Sequence, residues 1–301
     1  MARDFTKNTS NRMSLGIGTV GALLNGLGAV SVHAWVHGDT YNTGANDNRI
    51  LTVPLNGTTA GLILEIDGSA GSKVRLVGRS VSTDTAVTKT GTTDIGTAAF
   101  ASVGGVWNFA GDSMTPYCNG VAEGVGAAVF ANAALTLGTP TGHDMIGADN
   151  SPPSGTAAQF DGRIAEVAIW NVDIGAPNFV LLASGQGANL VAAANLIAYL
   201  RILGTTSPEP DEVGDLEGTI TGTIAQATHP EIETEAEVLG VQFNQINGQW
   251  QSGGTFLEPD PLTGVWKAVD TNALELNGVN GKWVTEGTAA PTLNPDTGQW
   301  S

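Results

Sequence analysis

The sequence predicts an all-β fold of antiparallel strands, and three observations support this prediction. Glycine accounts for 41 of the 301 residues, while charged residues make up only 14%. Glycine destabilises helix interiors but supplies the positive φ angles that tight turns need. Several segments alternate apolar and polar side chains, which is the two-residue period of a strand with one buried face. Segments rich in Gly, Asn and Asp separate them, as turns do.

The first part of the chain contains four predicted strands. They span residues 29–37, 50–55, 61–67 and 73–80. In the first of them, Val30, Val32, Ala34 and Val36 share one face, so we expect that face in the core. Residues 83–98 are rich in threonine and weakly patterned, which indicates a loop or an edge strand.

The strand pattern continues to residue 170. Further strands are predicted at residues 101–109, 114–118, 121–123, 127–137 and 161–170. Asn119-Gly120 lies between two of them and is a strong hairpin signal. In the last strand, Ala165, Val167 and Ile169 share one face.

A short helix is predicted after residue 170. Asp173 can cap its start, Pro177 suits its first turn, and Gly185 or Gly187 can end it. Residues 190–203 are apolar, and their period alone does not distinguish a helix from a buried strand.

Composition changes after residue 229 and predicts a domain boundary. Residues 229–237 contain Pro230 and four glutamates, which is typical of a linker or a domain edge. We therefore predict one domain at residues 1–232 and a small β-rich module at residues 233–301. The sequence leaves open whether this module folds independently.

A Gly-x-Trp repeat occupies the second predicted domain. Its tryptophans are spaced 16, 17 and 17 residues apart, and they are Trp250, Trp266, Trp283 and Trp300. A unit this short cannot bury its own core, so the repeats must stack on each other or on other subunits. Three interpretations remain open: a meander with a tryptophan core, an oligomerisation or attachment element, and exposed rings that stack on glycans.

Charge and hydropathy exclude several classes of partner. The formal charge of −17 argues against nucleic acid and anionic membranes, because binding phosphates requires clustered Lys and Arg. No apolar run reaches the roughly 20 residues that a membrane span needs. The first residues contain no signal-peptide pattern, so we expect synthesis in a cytoplasm without export by the general secretory route.

The sequence predicts neither a catalytic residue nor a cofactor. Glu65 and Asp67 share one strand face, but no third carboxylate follows, so we interpret the pair as a solvated strand end. Cys118 is the only cysteine and is expected to be a small buried thiol. Ser184 lacks the strand-turn-helix context of a nucleophile elbow.

Three segments resemble one known fold family. Residues 100–121, with a Gly-Val-Trp strand and Tyr117-Cys118-Asn119-Gly120, resemble the middle of the laminin-G/concanavalin A-like sandwich. Residues 157–174 are similar to its closing strand, and residues 30–37 to an early strand. The resemblance implies an antiparallel jelly-roll β-sandwich for residues 1–232. This fold hosts lectins, hydrolases and scaffolds, so the resemblance is weak evidence of function.

The end of the first predicted domain is similar to a narrower group. Residues 181–204 and 215–232 resemble the tail of laminin-G-like proteins that tailed bacteriophages encode. The matching residues are Leu196, Tyr199, residues 218–223, His229, Pro230 and Ile232. The resemblance implies a strand at residues 196–203, a hairpin at residues 218–223 and a role on the virion surface.

These resemblances lead to two expected functions. The first is a non-enzymatic virion structural protein, a capsid-decoration or head-fibre subunit that forms a homotrimer and contacts the major capsid protein. The alternative is a tail-fibre or baseplate adhesin that binds carbohydrate on the host surface. An enzyme would require measurable glycan cleavage.

The resemblance also bears on ligand sites. Some members of the wider family bind Ca²⁺ at loop edges, which makes Asp144 and Asp149 candidate ligands. Family strands usually bury their aromatic residues, so Trp35, Trp107 and Trp170 are expected in the core. The remaining candidates for the edge of a shallow glycan site are His33, His37 and Tyr41.

Overall fold

A computed structural model describes residues 2–5, 11–41, 48–124, 126–149 and 158–233. Beyond residue 233 it describes the backbone of six strands. The chain divides into two compact units, Met1–Ile232 and Glu233–Ser301.

Seventeen strands belong to the first unit as the structure describes it. They are β1 (Ala2–Asp4), β2 (Arg12–Ile17), β3 (Ala29–Gly38), β4 (Asn48–Asn56), β5 (Thr59–Asp67), β6 (Lys73–Gly78), β7 (Val87–Asp94), β8 (Ala101–Asn108), β9 (Ser113–Cys118), β10 (Val121–Ala122), β11 (Gly126–Ala127), β12 (His143–Ile146), β13 (Gly162–Trp170), β14 (Leu196–Leu200), β15 (Glu209–Pro210), β16 (Glu217–Thr221) and β17 (Ala225–Ala227). Two α-helices accompany them, α1 (Thr19–Leu24) and α2 (Gly175–Ala183). Short 3₁₀ turns occur at Gly68–Ala70, Ala188–Leu190 and Ala193–Asn195.

The strands form two antiparallel sheets. Sheet A has the order β10-β9-β8-β3-β13-β1-β17, with β11 also paired to β9 and β14 to β13. Sheet B has the order β15-β16-β2-β12-β4-β5-β6-β7. A single apolar core contains buried side chains from both sheets. The predicted all-β jelly-roll sandwich is therefore confirmed.

Trp107 of β8 links the two sheets inside the core. Its side chain is fully buried, and its Nε1 donates a hydrogen bond to the backbone oxygen of Val77 in β6 at 2.9 Å. A Cβ on Gly78 would lie 2.7 Å from the indole Cδ1, and a Cβ on Gly105 would lie 2.4 Å from a methyl of Leu76. Glycine at these two positions therefore provides the space that the large side chains fill.

A second apolar cluster covers the outer face of sheet A. The ring of Phe179 in α2 stacks on Tyr117 of β9 with centroids 3.8 Å apart. Trp170 of β13 is fully buried there and donates from Nε1 to the oxygen of Val191 at 2.9 Å. The helix is thus held by burial of its apolar face, with Phe179 and Leu182 inside. No helix in the described ranges has the length and apolar character required to cross a membrane.

The second unit contains two further antiparallel sheets among its described strands. One is formed by β18 (Val241–Asn244), β19 (Gln249–Ser252), β20 (Thr255–Pro259) and β21 (Trp266–Asp270). The other pairs β22 (Leu274–Leu276) with β23 (Trp283–Thr285). Trp250 lies within β19, whereas Trp266 and Trp283 begin their strands. Trp300 lies outside the described residues.

Several sequence predictions match the structure closely. The strands predicted at residues 29–37 and 161–170 correspond to β3 and β13, and the Thr-rich segment contains the edge strand β7. The predicted helix is α2, where Asp173 accepts a hydrogen bond from the backbone N–H of Gly175 at 2.8 Å. The apolar segment at residues 190–203 contains a 3₁₀ turn, Ala193–Asn195, followed by strand β14, and it forms no α-helix.

The face predicted for β13 is wrong at one position. Ile164, Val167 and Ile169 lie in the core, whereas Ala165 pairs with Trp35 on the outer face. A β-bulge at Glu166, whose φ is +54°, inserts one residue and shifts the alternation.

Two other predictions are corrected by the hydrogen-bonding pattern. A strand was predicted at residues 127–137, but β11 is the only strand there and it ends at Ala127. The backbone N–H groups of the following residues bond to acceptors in loops. For example, the N–H of Phe130 donates to the Asp112 carboxylate at 2.9 Å. Residues 218–223 do not form a hairpin. Instead, β16 pairs with β2 in sheet B, β17 pairs with β1 in sheet A, and the chain crosses between the sheets at Gly222, whose φ is +86°.

Truncation after Ile232 is expected to leave the first unit folded, because both sheets of the sandwich end before that residue. If the Gly-x-Trp residues mediate self-association, the truncated chain will have a lower mass than the full chain in light scattering, with a similar thermal transition. An unchanged oligomeric mass would show that residues 233–301 are not the assembly element. Loss of cooperative unfolding would show that the first unit depends on the second.

Candidate functional site

The outer face of sheet B carries charged side chains on adjacent strands. Along β5, Leu64 and Ile66 lie in the core, so the two-residue period directs Glu65 and Asp67 to the outer face. The same alternation directs Arg75 of β6 outward, directly opposite Glu65. Opposite charges at facing positions stabilise the pairing of the two strands.

These side chains form a connected ion-pair network. Arg75 donates from Nε to Glu65 Oε1 at 2.7 Å and from Nη1 to Asp67 Oδ2 at 2.8 Å. From β4, Arg49 places its Nε 3.6 Å from Glu65 Oε2 and bonds through Nη1 to Asp149. The network spans three strands and holds both arginines in fixed orientations.

Glu65 is the buried centre of this network. Only 1% of its side chain is exposed, and burial raises its pKa to about 7, although Arg49 acts in the opposite direction. Burial also lowers the pKa of Arg75. Glu65 Oε2 and Arg49 Nε each lack a hydrogen-bond partner. The two atoms face each other as an ion pair at 3.6 Å, so the charge of each is matched although the distance exceeds that of a hydrogen bond.

A depression of about 420 Å³ opens above the network. It is lined by Arg49, Thr58, Thr59, Ala60, Ile63, Glu65, Arg75, Val77, Arg79 and Asp149. We call it the Arg/Glu groove. Its volume lies within the range of about 300 to 1,000 Å³ that is usual for small-molecule sites. Charged groups, threonine side chains and three aliphatic side chains line it, which suits a ligand with both hydroxyl groups and apolar C–H faces.

The sequence interpretation of Glu65 and Asp67 as a solvated strand end is wrong, because both side chains are buried in ion pairs. Their cationic partner lies on the following strand, and the register of the β5–β6 pair brings it into place. Sequence reasoning missed Arg49, Arg75 and Arg79. A signal did exist, since Arg75 and Arg79 alternate with apolar residues in the strand predicted at residues 73–80.

The two calcium candidates lie in different surroundings. Asp144 is fully buried and accepts hydrogen bonds from the Val20 backbone N–H at 2.8 Å and from Thr19 Oγ1 at 3.2 Å. Asp149 pairs with Arg49 in the groove. In the described ranges, no three His, Cys, Asp or Glu side chains are grouped closely enough to hold a metal ion. Each carboxylate thus has a protein partner, and Ca²⁺ binding stays a prediction.

The aromatic candidates separate into core and surface. Trp107 and Trp170 are fully buried, as expected, but Trp35 is half-buried on the outer face of sheet A. His37 lies nearby and makes an edge contact with Phe100, with ring centroids 5.5 Å apart. We call Trp35, His37 and Phe100 the aromatic patch.

His33 and Tyr41 are not exposed ligand-binding groups at the edge of this patch. Only 1% of His33 is exposed, its Nε2 lies 2.9 Å from Ser102 Oγ, and burial lowers its pKa to about 3. Tyr41 packs against the main core, and its hydroxyl accepts a hydrogen bond from the Gly38 N–H at 3.1 Å.

Neither candidate nucleophile is activated. Cys118 is 2% exposed, and burial raises its pKa to about 11, which keeps it a thiol at neutral pH. Ser184 follows α2, and its hydroxyl donates to the Leu181 oxygen at 2.7 Å. The thiol is therefore the buried one that the sequence predicted.

The sequence matches one family profile over more than half of its length. The profile is described as the Concanavalin A-like lectin/glucanases superfamily (Laminin_G_3), and it covers residues 13–177 of the 301. The chain belongs to this family. No curated protein matches the chain, and none of the similarities links it to tailed-bacteriophage virion proteins.

Two solved structures share the concanavalin A-like sandwich. A candidate carbohydrate-binding protein from Bacteroides ovatus matches with a TM-score of 0.56 and 18% identity, covering 77% of this chain and 61% of that one. This chain thus spans less than two thirds of that protein. A heptameric SAP-like pentraxin from Limulus polyphemus matches with a TM-score of 0.53 and 12% identity, covering 77% of this chain and 97% of that one. At these identities the similarity shows the fold alone.

Asp144→Asn is expected to change how stability depends on pH. Burial raises the pKa of Asp144 to about 7, above the value of about 3.9 in an unfolded chain. The folded protein therefore binds this proton more tightly, and the stability it contributes at low pH is lost as pH rises from about 4 through 7. In urea titrations across this range, the variant should lose less stability with rising pH than the parent.

Asp215→Asn is the matched control for this experiment, because Asp215 is an exposed carboxylate. It should leave the pH dependence unchanged. If Asp144→Asn behaves like this control, the Asp144 carboxyl does not have the raised pKa that its burial implies.

Proposed function

We propose that the first unit is a non-catalytic carbohydrate-binding module and that the Arg/Glu groove is its sugar site. The groove itself carries the proposal. It is a concave surface on three adjacent strands, and ion pairs orient the charged side chains that line it beside threonine hydroxyls. Sugar hydroxyl groups both donate and accept hydrogen bonds, so they suit a lining of carboxylates, guanidinium groups and hydroxyls.

The family supports this assignment. Lectins and glucanases give the family its name, and the B. ovatus protein that shares the sandwich is a candidate carbohydrate-binding protein. These similarities concern the fold, so the binding activity proposed here rests on the groove.

The geometry of the carboxylates favours binding over cleavage. Glycoside hydrolysis requires two carboxyl groups that flank the scissile bond. Glu65 is buried beneath Arg49 and Arg75, and Asp149 pairs with Arg49. These contacts restrain both groups from moving to a glycosidic oxygen, which supports a role in ligand recognition and in positioning the arginines.

A tryptophan at position 58 is expected to block the groove. Thr58 is exposed and lines the groove, so Thr58→Trp adds a large ring without removing an ion pair. On immobilised polysaccharides, the variant should lose at least about 90% of the binding measured for the parent, since steric filling prevents the contacts.

Thr221→Trp serves as the matched control, because Thr221 is exposed on β16 of the same sheet, away from β5 and β6. It should bind as the parent does. If Thr58→Trp binds normally and Trp35→Ala does not, the sugar site is the aromatic patch and the groove assignment is wrong. If the parent binds no glycan, the proposed function fails.

We also propose a location for the protein, the surface of a virion, where it would act as a decoration or head-fibre subunit. The support is the sequence resemblance at Leu196, Tyr199 and His229-Pro230 to laminin-G-like phage proteins. In this arrangement the Gly-x-Trp residues would mediate assembly, as a homotrimer, or attachment to the major capsid protein.

Gold-labelled antibody imaging of purified particles tests this location. Label spread over the shell is the expected result and would support a decoration or head-fibre role. Label confined to the tail would instead favour the tail-fibre or baseplate adhesin. Particles without label, with the protein absent from them, would show that the virion proposal is wrong while leaving the carbohydrate-binding proposal untouched.

A further inference from the structure

Arg79 differs from the other arginines of the groove in its partners. Arg49 and Arg75 are paired with carboxylates, but Arg79 donates from Nε to the backbone oxygen of Asp84 at 3.1 Å and from Nη1 to that of Ala60 at 2.5 Å. These two bonds fix the guanidinium while leaving its charge unneutralised. Over the ranges that the structure describes, Arg79 forms no ion pair with a carboxylate.

The groove therefore has a paired end and an unpaired end. Arg75 lies in β6 and Arg79 directly follows its last residue, with its backbone N–H bonded to the Gly61 oxygen at 2.8 Å, and four residues of extended chain correspond to about 13 Å. The carboxylates of Glu65 and Asp67 are held at the Arg75 end. The other end presents a half-buried cation beside Thr59 and Ala60.

We propose that Arg79 binds a sugar carboxylate, so that the ligand of the groove is an acidic glycan containing uronic acid or a similar sugar acid. This inference rests on the proposed carbohydrate-binding function and specifies its ligand. The guanidinium is planar and always charged, and its Nη2, which has no hydrogen-bond partner within the described part of the chain, can donate to a carboxylate oxygen. The two backbone bonds orient it before the ligand arrives, which lowers the entropy cost of binding.

The charge of the chain limits how acidic the ligand is. With a formal charge of −17, the protein repels a densely charged polyanion. One unpaired guanidinium also neutralises only one anionic group. A glycan with isolated carboxylates between neutral sugars fits both constraints, whereas a heavily sulfated polymer fits neither.

The test uses the full chain and a panel of immobilised bacterial capsular and cell-wall polysaccharides. Each polysaccharide is presented in its native form and after carbodiimide-mediated reduction of its uronic acids to neutral hexoses. We expect binding to uronate-containing members, and a loss of about 10- to 100-fold in affinity after reduction, which is the range of a charge-assisted hydrogen bond. Binding should weaken as salt rises.

Two variants connect the carboxylate to Arg79. Arg79→Gln should lower affinity for the native polysaccharide by about the same factor and leave affinity for the reduced one unchanged. Arg79→Lys should retain part of the affinity because it keeps the charge. Arg12→Gln makes the same change on β2 of the same sheet and should have no effect.

Each of the other outcomes contradicts one part of the proposal. Equal binding of native and reduced polysaccharides would show that the ligand is neutral, while carbohydrate binding would stand. A preference for sulfated polysaccharides would show that the group bound by the groove is a sulfate and not a carboxylate. If binding depends on the sugar carboxylate but Arg79→Gln leaves it intact, then Arg79 is not the residue that binds the carboxylate. If no polysaccharide binds in either form, the proposed function itself fails.

Discussion

The hydrogen bond and packing of Trp107 beneath β6 hold together the part of the sandwich on which the site depends. The indole belongs to sheet A, and the carbonyl it binds belongs to Val77 in sheet B. Gly78 leaves the space for the ring, and the side chain of Val77 lines the groove on the opposite face. Arg75 and Arg79 flank these residues, so the core position of one tryptophan determines where two binding side chains point outward.

The ion pairs of the groove are better explained by recognition than by stability. Removing charges from water costs several kcal/mol per ion, and a buried pair often recovers no more than this cost. Glu65 is almost fully buried, and one of its oxygens has no hydrogen-bond partner. An apolar side chain at that position would fill the space without this cost. The charges instead orient Arg49 and Arg75, and fixed donors bind a polar ligand with little loss of conformational freedom.

The sequence was sufficient to predict elements whose signal is local. The alternation of β3, the Asn119-Gly120 turn and the start and end of α2 depend on neighbouring residues. The bulge at Glu166 was not predictable in this way, since a residue with φ of +54° gives no pattern in an otherwise regular strand. Likewise β1 and α1 were missed, because they have only three and six residues. The strand β2 was also missed, although Met13, Leu15 and Ile17 alternate there with more polar or smaller residues.

The site was harder to predict than the fold because its signal is not local in the sequence. Glu65 and Asp67 were identified as residues on one face, but their surroundings depend on strand register and on Arg49, which lies on another strand. A strand face that looks solvated in sequence can be buried by long arginine side chains from its neighbours. Recognising the groove required the cross-strand pairing that only the three-dimensional structure supplies.

The two ends of the sandwich pair with each other in both sheets. Ala2 pairs with Ala227, and β2 pairs with β16, so residues more than 200 positions apart meet in both sheets. Closing so long a loop is entropically costly and slow. During translation, β16 and β17 leave the ribosome after the other strands of the sandwich, when most of its core has already been made. Until then the edges of β2 and β1 lack these partners, and a nascent chain stalled before residue 217 would expose them to other chains.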